Sequence, residues 1–287
     1  MLTTTVTILF FGIAYGMVLY LISVGLSVTM GLMGFINLAH GVFAMLGGYA
    51  TVTLMNQFGL PFFLSLAIAC LLVTVAGFVL ERTLYCRLYG RSELDQVLFS
   101  IGLIFASMAL VRMAWGPLAQ PVQLPAYLKG QTTIGPYELP SYRLALVVFG
   151  AAVISGLWLT FERTLFGARI RAAVDNGAMA QAIGINTNRL FALTFGLGTG
   201  LAALGGGLGA DILAIVPAYP LQHIVYFMIV VAVGGLGSIR GPFIAALAIG
   251  LADTACQYLV PEMGAVFVFA LVFALLLWRP NGIISRR

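Results

Sequence analysis

Charge is what this sequence has least of. Only 8% of its 287 residues are Asp, Glu, Lys or Arg, against about 25% in an ordinary soluble chain. So few charges cannot cover a water-facing surface. The one or two soluble domains that the length alone would allow are therefore excluded. Lysine is almost missing, Lys129 being the single example. No Gly-x-x-x-x-Gly-Lys-Ser/Thr phosphate loop exists, and ATP hydrolysis by that route goes with it. The His-Glu-x-x-His and Gly-x-Ser-x-Gly patterns are absent as well, which removes the usual zinc- and serine-hydrolase readings. Three cysteines, Cys70, Cys86 and Cys256, form no Cys-x-x-Cys pair, so neither a disulfide framework nor a thiolate metal site follows. His40 and His223 are too far apart in sequence to suggest a metal. The net charge of +5 comes with too little polar surface to suggest a nucleic-acid partner.

What the chain does have is apolar text, 61% of it hydrophobic, with Glu81 as the first charged residue. Among the 80 residues before Glu81, only His40 titrates near neutral pH. That stretch is too long for a signal peptide and lacks a basic leading segment, so no cleavage is expected. A bilayer core needs about 20 apolar residues per helix. The runs 8–29, 38–56, 61–80, 94–114, 142–161, 190–210, 222–237, 242–260 and 263–278 predict eight or nine spans. The fold class is an all-α polytopic transmembrane helix bundle in contact with membrane lipid.

Basic residues set the expected orientation. Arg82, Arg87 and Arg91 share one polar link. Arg163, Arg169, Arg171 and Arg189 share another, and Arg279, Arg286 and Arg287 lie in the tail. These regions hold ten of the fourteen basic residues and are expected in the cytoplasm. The segment Pro117 to Pro140, with five prolines, then faces outside as an irregular loop. The N-terminus faces outside too, if the first three spans cross fully. Trp115, Trp158 and Trp278 fall near predicted span ends, as in an interfacial aromatic belt.

Two Gly-rich breaks combine glycine with polar residues. One runs from Gly31 through Gly34, Asn37 and His40 to Gly41. The other runs from Gly234 through Gly235, Gly237, Ser238 and Arg240 to Gly241. Gly41-Val-Phe43 is echoed by Gly241-Pro-Phe243, as in a diverged repeat or by chance. Exposed backbone is tolerated in lipid only where protein or a wet cavity covers it. Interrupted helices with such breaks often line a solute path, and close packing through small residues is the other reading. For the breaks the path is favoured. For Gly196-Leu-Gly198-Thr-Gly200 and Gly205-Gly-Gly207-Leu-Gly209 packing is favoured. Asn37 and His40 can hydrogen-bond a solute, or else cap and tie helices. Asp211, Asp253 and Arg240 are candidate intramembrane charges. Asp211 is expected at an outer end, and Asp253 can pair with Arg240 across a bundle.

The link from Glu162 to Arg189 predicts a short helix at Ala178–Ile183, capped by Asp175 or Asn176 and ended by Gly184. Such a helix docks on another protein or lies on the anionic leaflet.

Three runs occur in order: Gly34-Phe-Ile-Asn37-Leu-Ala-His40-Gly41, then Arg171-Ala-Ala-Val-Asp175 through Gly184-Ile185-Asn186, then Gly234-Gly235-Leu-Gly237-Ser238. Together they make the chain resemble, from about residue 8 to Gly282, the LivH-type permeases of bacterial branched-chain amino acid ABC transporters. The resemblance implies that residues 1–287 form a single importer transmembrane permease domain in the bacterial inner membrane. It implies a LivM-like second permease, two ABC ATPase subunits and a periplasmic solute-binding protein as partners. ATP-Mg would sit on the ATPases, with no cofactor on this chain. By the same resemblance Asp175, Asn176, Ala180, Ala182, Gly184, Ile185 and Asn186 fall in the segment that contacts an ATPase, and Gly34, Asn37, His40, Gly41, Gly235, Gly237 and Ser238 lie along the path. Arg240 departs from the uncharged residue expected there. The solute stays open, because the fold also serves urea, short amides and other small acids. An ATP-independent transporter or channel is the alternative, and a membrane scaffold without transport is a third class.

Overall fold

The computed structural model describes residues 2–134, 137–263 and scattered positions from 266 to 277. Among these residues it has ten α-helices: α1 (Leu2–Met33), α2 (His40–Asn56), α3 (Phe62–Thr83), α4 (Glu93–Trp115), α5 (Ser141–Arg163), α6 (Leu165–Asp175), α7 (Gly177–Ala182), α8 (Thr187–Leu208), α9 (Tyr219–Gly234) and α10 (Arg240–Leu259). A short hairpin, β1 (Gln131–Ile134) and β2 (Tyr137–Pro140), sits in the segment expected to be irregular. Its strands pair antiparallel, with Thr132 opposite Leu139.

Among the described residues, six helices are long and apolar enough to cross a membrane: α1, α3, α4, α5, α8 and α10. The eight or nine spans expected from hydropathy also include the runs 38–56 and 222–237. They form α2 and α9, of 17 and 16 residues, each below the crossing length of about 20. The run 263–278 lies largely outside the described residues, as do Trp278, Arg279, Arg286 and Arg287. At 32 residues, α1 is about 48 Å long, well beyond a hydrocarbon core of about 30 Å. Its last turns therefore tilt or project past the core.

Helices α1 and α8 are the buried centre, while α3, α4 and α5 keep broad apolar faces exposed. Lipid is as apolar as a leucine side chain, so close backbone approach has to supply the packing. Glycines supply it here. A side-chain carbon on Gly25 would lie 2.7 Å from Gly198 Cα, and one on Gly12 would lie 2.8 Å from Leu251 Cα. Gly206 meets the Ala44 backbone of α2, and Gly200 meets Thr74 of α3. The glycines of α8 thus act as packing residues against three neighbours, as their spacing suggested. Tyr142 of α5 donates from its phenol to the Leu208 carbonyl at 2.5 Å, satisfying one of the last acceptors of α8.

The arginine-bearing links gather at one end of the bundle. Between α3 and α4, the Tyr89 ring meets Phe191 at the start of α8, 5.5 Å between centroids. The end of α1, the end of α5, α6, α7 and the start of α8 share a second apolar cluster containing Leu32, Phe161, Ile170, Ala180 and Leu190. The opposite end holds Trp115, which donates to Thr53 at 2.8 Å, and Gln120, which bridges to Ile215. Exposed Asp211, just past α8, is at that end as well.

Candidate solute path and coupling link

The first break leaves the helix at Gly34, whose φ of +61° is open to glycine at no steric cost. The chain then turns back along α1. His40 donates from Nε2 to the Ile22 carbonyl at 3.0 Å, eleven residues before the end of α1, so α2 starts well inside the bundle. Gly41 lies against Pro220, at the start of α9. Asn37 and His40 are each 1% exposed. Asn37 accepts at Oδ1 from the Tyr85 phenol at 3.1 Å. Gln96 of α4 accepts from the Ile36 amide at 3.1 Å, and Ser100 donates to the Ile36 carbonyl at 3.3 Å. The buried Glu81 carboxylate accepts from Tyr89 at 2.7 Å. Burial first, then the Glu81 carboxylate, hold the Tyr89 phenol far above its usual range, so it remains a donor. The break is therefore braced by polar groups from α3, α4 and their link.

The second break joins α9 to α10. The Ser27 hydroxyl lies 3.2 Å from the Gly235 carbonyl and 3.0 Å from that of Ser238. The Gly237 amide donates to the Ser27 carbonyl at 2.9 Å, and Ser238 Oγ accepts from the Gly241 amide at 3.0 Å. Gly237, Ser238 and Arg240 face Phe161, Arg171 and Val174 across a cavity of about 390 Å³ at the arginine-rich end. Arg240 pairs with Glu162 at 2.7 Å, which corrects the pairing with Asp253 weighed from sequence. Thirteen residues along α10 separate Arg240 from Asp253 by about 20 Å.

The candidate coupling link is two helices, not one. α6 is capped by Thr164, which accepts from the Gly167 amide at 3.3 Å. α7 is capped by Asn176, which accepts from the Met179 amide at 2.9 Å. Gly184 closes α7 at φ +88°, and the Ile185 amide returns to the Ala180 carbonyl at 2.9 Å. Asn186 caps α8 by accepting from the Arg189 amide at 3.0 Å. The expected contact residues divide. Ala180 is 2% exposed and packs into this chain's own cluster, whereas Ala182, Gly184, Asn186, Asp175 and Asn176 are exposed and Ile185 is partly covered. Met179 and Ile183, which sequence reasoning did not single out, are 61% and 69% exposed. Two large apolar side chains at i and i+4 on a water-facing link were the signal that could have found them.

A polar cleft that the sequence did not reveal lies at the other end, between α1, α5, α9 and α10. Its volume is about 380 Å³. Arg143 enters from α5, with its guanidinium 3.9 Å above the Phe11 ring. Asp253, 4% exposed, accepts from Gln257 Nε2 at 2.7 Å and from the Tyr226 hydroxyl. His223 lines this cleft and stacks on Tyr219 at 4.5 Å.

A long buried helix pair, glycine-mediated packing and helices of bilayer length describe a multi-pass membrane protein with a polar cleft at each end. The profile of the family described as branched-chain amino acid transport system / permease component matches residues 8–276, and the chain belongs to that family. It is the permease subunit of an ABC importer, in which ATP hydrolysis falls to separate subunits. It is similar to the permease protein BraD of Pseudomonas aeruginosa, 30% identical over 96% of this chain and 94% of the relative. The permease protein LivH of Escherichia coli is 29% identical over 97% and 94%. A more distant likeness is the permease protein LivM of the same species, 24% identical over 93% of this chain and 68% of the relative. All three are named for a high-affinity branched-chain amino acid transport system. No solved structure matches the chain.

Proposed function

We propose that the chain moves branched-chain amino acids, or a similar small solute, across a bacterial inner membrane. It does so beside a LivM-like second permease, a periplasmic binding protein and two ATPases that carry ATP-Mg. The relatives' names support the cargo, and the likeness to both LivH and LivM supports a paired permease. One observation carries the coupling. The exposed Met179 and Ile183 stand on a capped helix amid the arginine-bearing links, with its opposite side locked into the bundle by Ala180. Such a helix transmits a push because it is fixed on one face and free on the other.

In this reading α1 with α2, and α9 with α10, act as helices interrupted at their glycine breaks, and the shorter α2 and α9 count among eight or nine membrane segments. Gly237 and Ser238 flank the path at its inner mouth. Gly34 and Gly235 permit the backbone turns, Gly41 lets α9 approach α2, and Asn37 and His40 hold the first break in place. Asp175, Asn176, Ala182, Gly184, Ile185 and Asn186 frame the ATPase contact. No residue performs covalent chemistry. Binding partners bias two packings of the same helices.

Transport in proteoliposomes tests the proposal. Leucine uptake is expected only with the ATPases and ATP present. Uptake driven by an ion gradient through the permeases alone would overturn it.

A further inference from the structure

Arg143 and Asp253 line one cleft yet form no ion pair with each other or, among the described residues, with any other side chain. The cleft thus presents two side chains of opposite sign, each without an oppositely charged partner among the described residues. We propose that this cleft seats the zwitterionic head of a free α-amino acid on its way through, with Arg143 receiving the carboxylate and Asp253 the ammonium. The assignment rests on the amino-acid reading above and adds the site.

The chemistry of each side chain fits its role. Stacked on Phe11, the Arg143 guanidinium keeps its edge N–H groups free for the fork that suits a carboxylate. Asp253 is fixed on the buried floor by Gln257 and Tyr226, which leaves carboxylate lone pairs for an ammonium group. Phe11, Ile212 and Leu213 give an apolar wall for an aliphatic side chain. A volume of about 380 Å³ sits at the small end of the about 300–1,000 Å³ range of ligand pockets. The cleft lies at the end opposite the arginine links, where a binding protein would release its cargo.

Two readouts separate this site from the broader function. Binding of tritiated L-leucine to the purified permease pair in nanodiscs, without ATPases or binding protein, reads the site. ATP-driven leucine uptake by the complete transporter reads the function. Arg143→Gln and Asp253→Asn are each expected to weaken binding roughly ten-fold or more, with Asp253→Glu retaining most of it. On the unaltered protein, leucinamide (no carboxylate) and 4-methylpentanoate (no ammonium) should compete poorly. These arms hold even if a variant fails to assemble. Uptake with no binding by the unaltered pair, or binding unchanged in both variants, overturns the site and leaves the function standing. Binding without uptake upholds the site and sinks the function. Absence of both binding and uptake in the unaltered protein sinks both. Variants that shed the second permease, in a pair that never binds leucine, would make the cleft a subunit contact and overturn the proposal.

Discussion

The Ser27 hydroxyl donates to the Ser238 carbonyl at 3.0 Å, joining α1 to the α9–α10 break across 211 residues of sequence. The same oxygen lies 3.2 Å from the Gly235 carbonyl. Ser27→Ala removes the one hydroxyl proton that these two carbonyls share, at a fully buried side chain. The expected loss is about 1–3 kcal/mol, read as a lower melting temperature of the purified permease. An unchanged melting temperature would mean that the Gly237 amide contact to Ser27 holds the break unaided.

Glycines of this chain fall into two kinds, and one pair of variants separates them. Gly25→Ala pushes a methyl group against Gly198 and forces α1 from α8; overpacking of this sort costs about 1–3 kcal/mol. Gly102 of α4 is exposed, with nothing near its missing side chain. Gly102→Ala is expected to be neutral or to stabilise the helix by up to about 1 kcal/mol. Thermal unfolding of both variants in one detergent checks the contrast.

Arg240 and Glu162 tie the start of α10 to the end of α5 at the inner cavity. Both side chains are more than a third exposed, so the pair is worth under about 1 kcal/mol of stability. Its effect should appear in transport. Glu162→Arg is expected to slow uptake with little change in protein abundance, and adding Arg240→Glu should restore it. Failure of the double variant to recover would show that position 240 acts without its partner.

The apolar runs made the long helices legible, because crossing a bilayer demands a length that composition reveals directly. Asn176 and Gly184 marked the ends of α7 for the same local reason: caps and stops are short-range chemistry. Less local features did not show. Hydropathy alone cannot tell that α2 begins beside Ile22 rather than at the surface. α6 went unread because Arg169 and Arg171 dilute the apolar spacing of Phe166, Ile170 and Val174. The Arg143–Asp253 cleft was invisible, as its residues come from helices distant in sequence and neither charge signals its neighbour.

The link at 162–189 gives the sharpest separation of folding from docking. Ala180 faces this chain's own Val28, Leu32 and Phe161 cluster, so Ala180→Glu buries a carboxylate without a partner. Such a change costs several kcal/mol and should lower the amount of permease itself in the membrane. Met179→Glu and Ile183→Glu alter side chains that already face outward. They should leave permease abundance within about 0.5 kcal/mol of the parent's stability while removing the ATPases from the purified complex. Immunoblots for permease and ATPase in one preparation decide the matter. If the glutamates at 179 and 183 keep the ATPases bound and uptake intact, α7 is a surface helix and the push enters the bundle elsewhere.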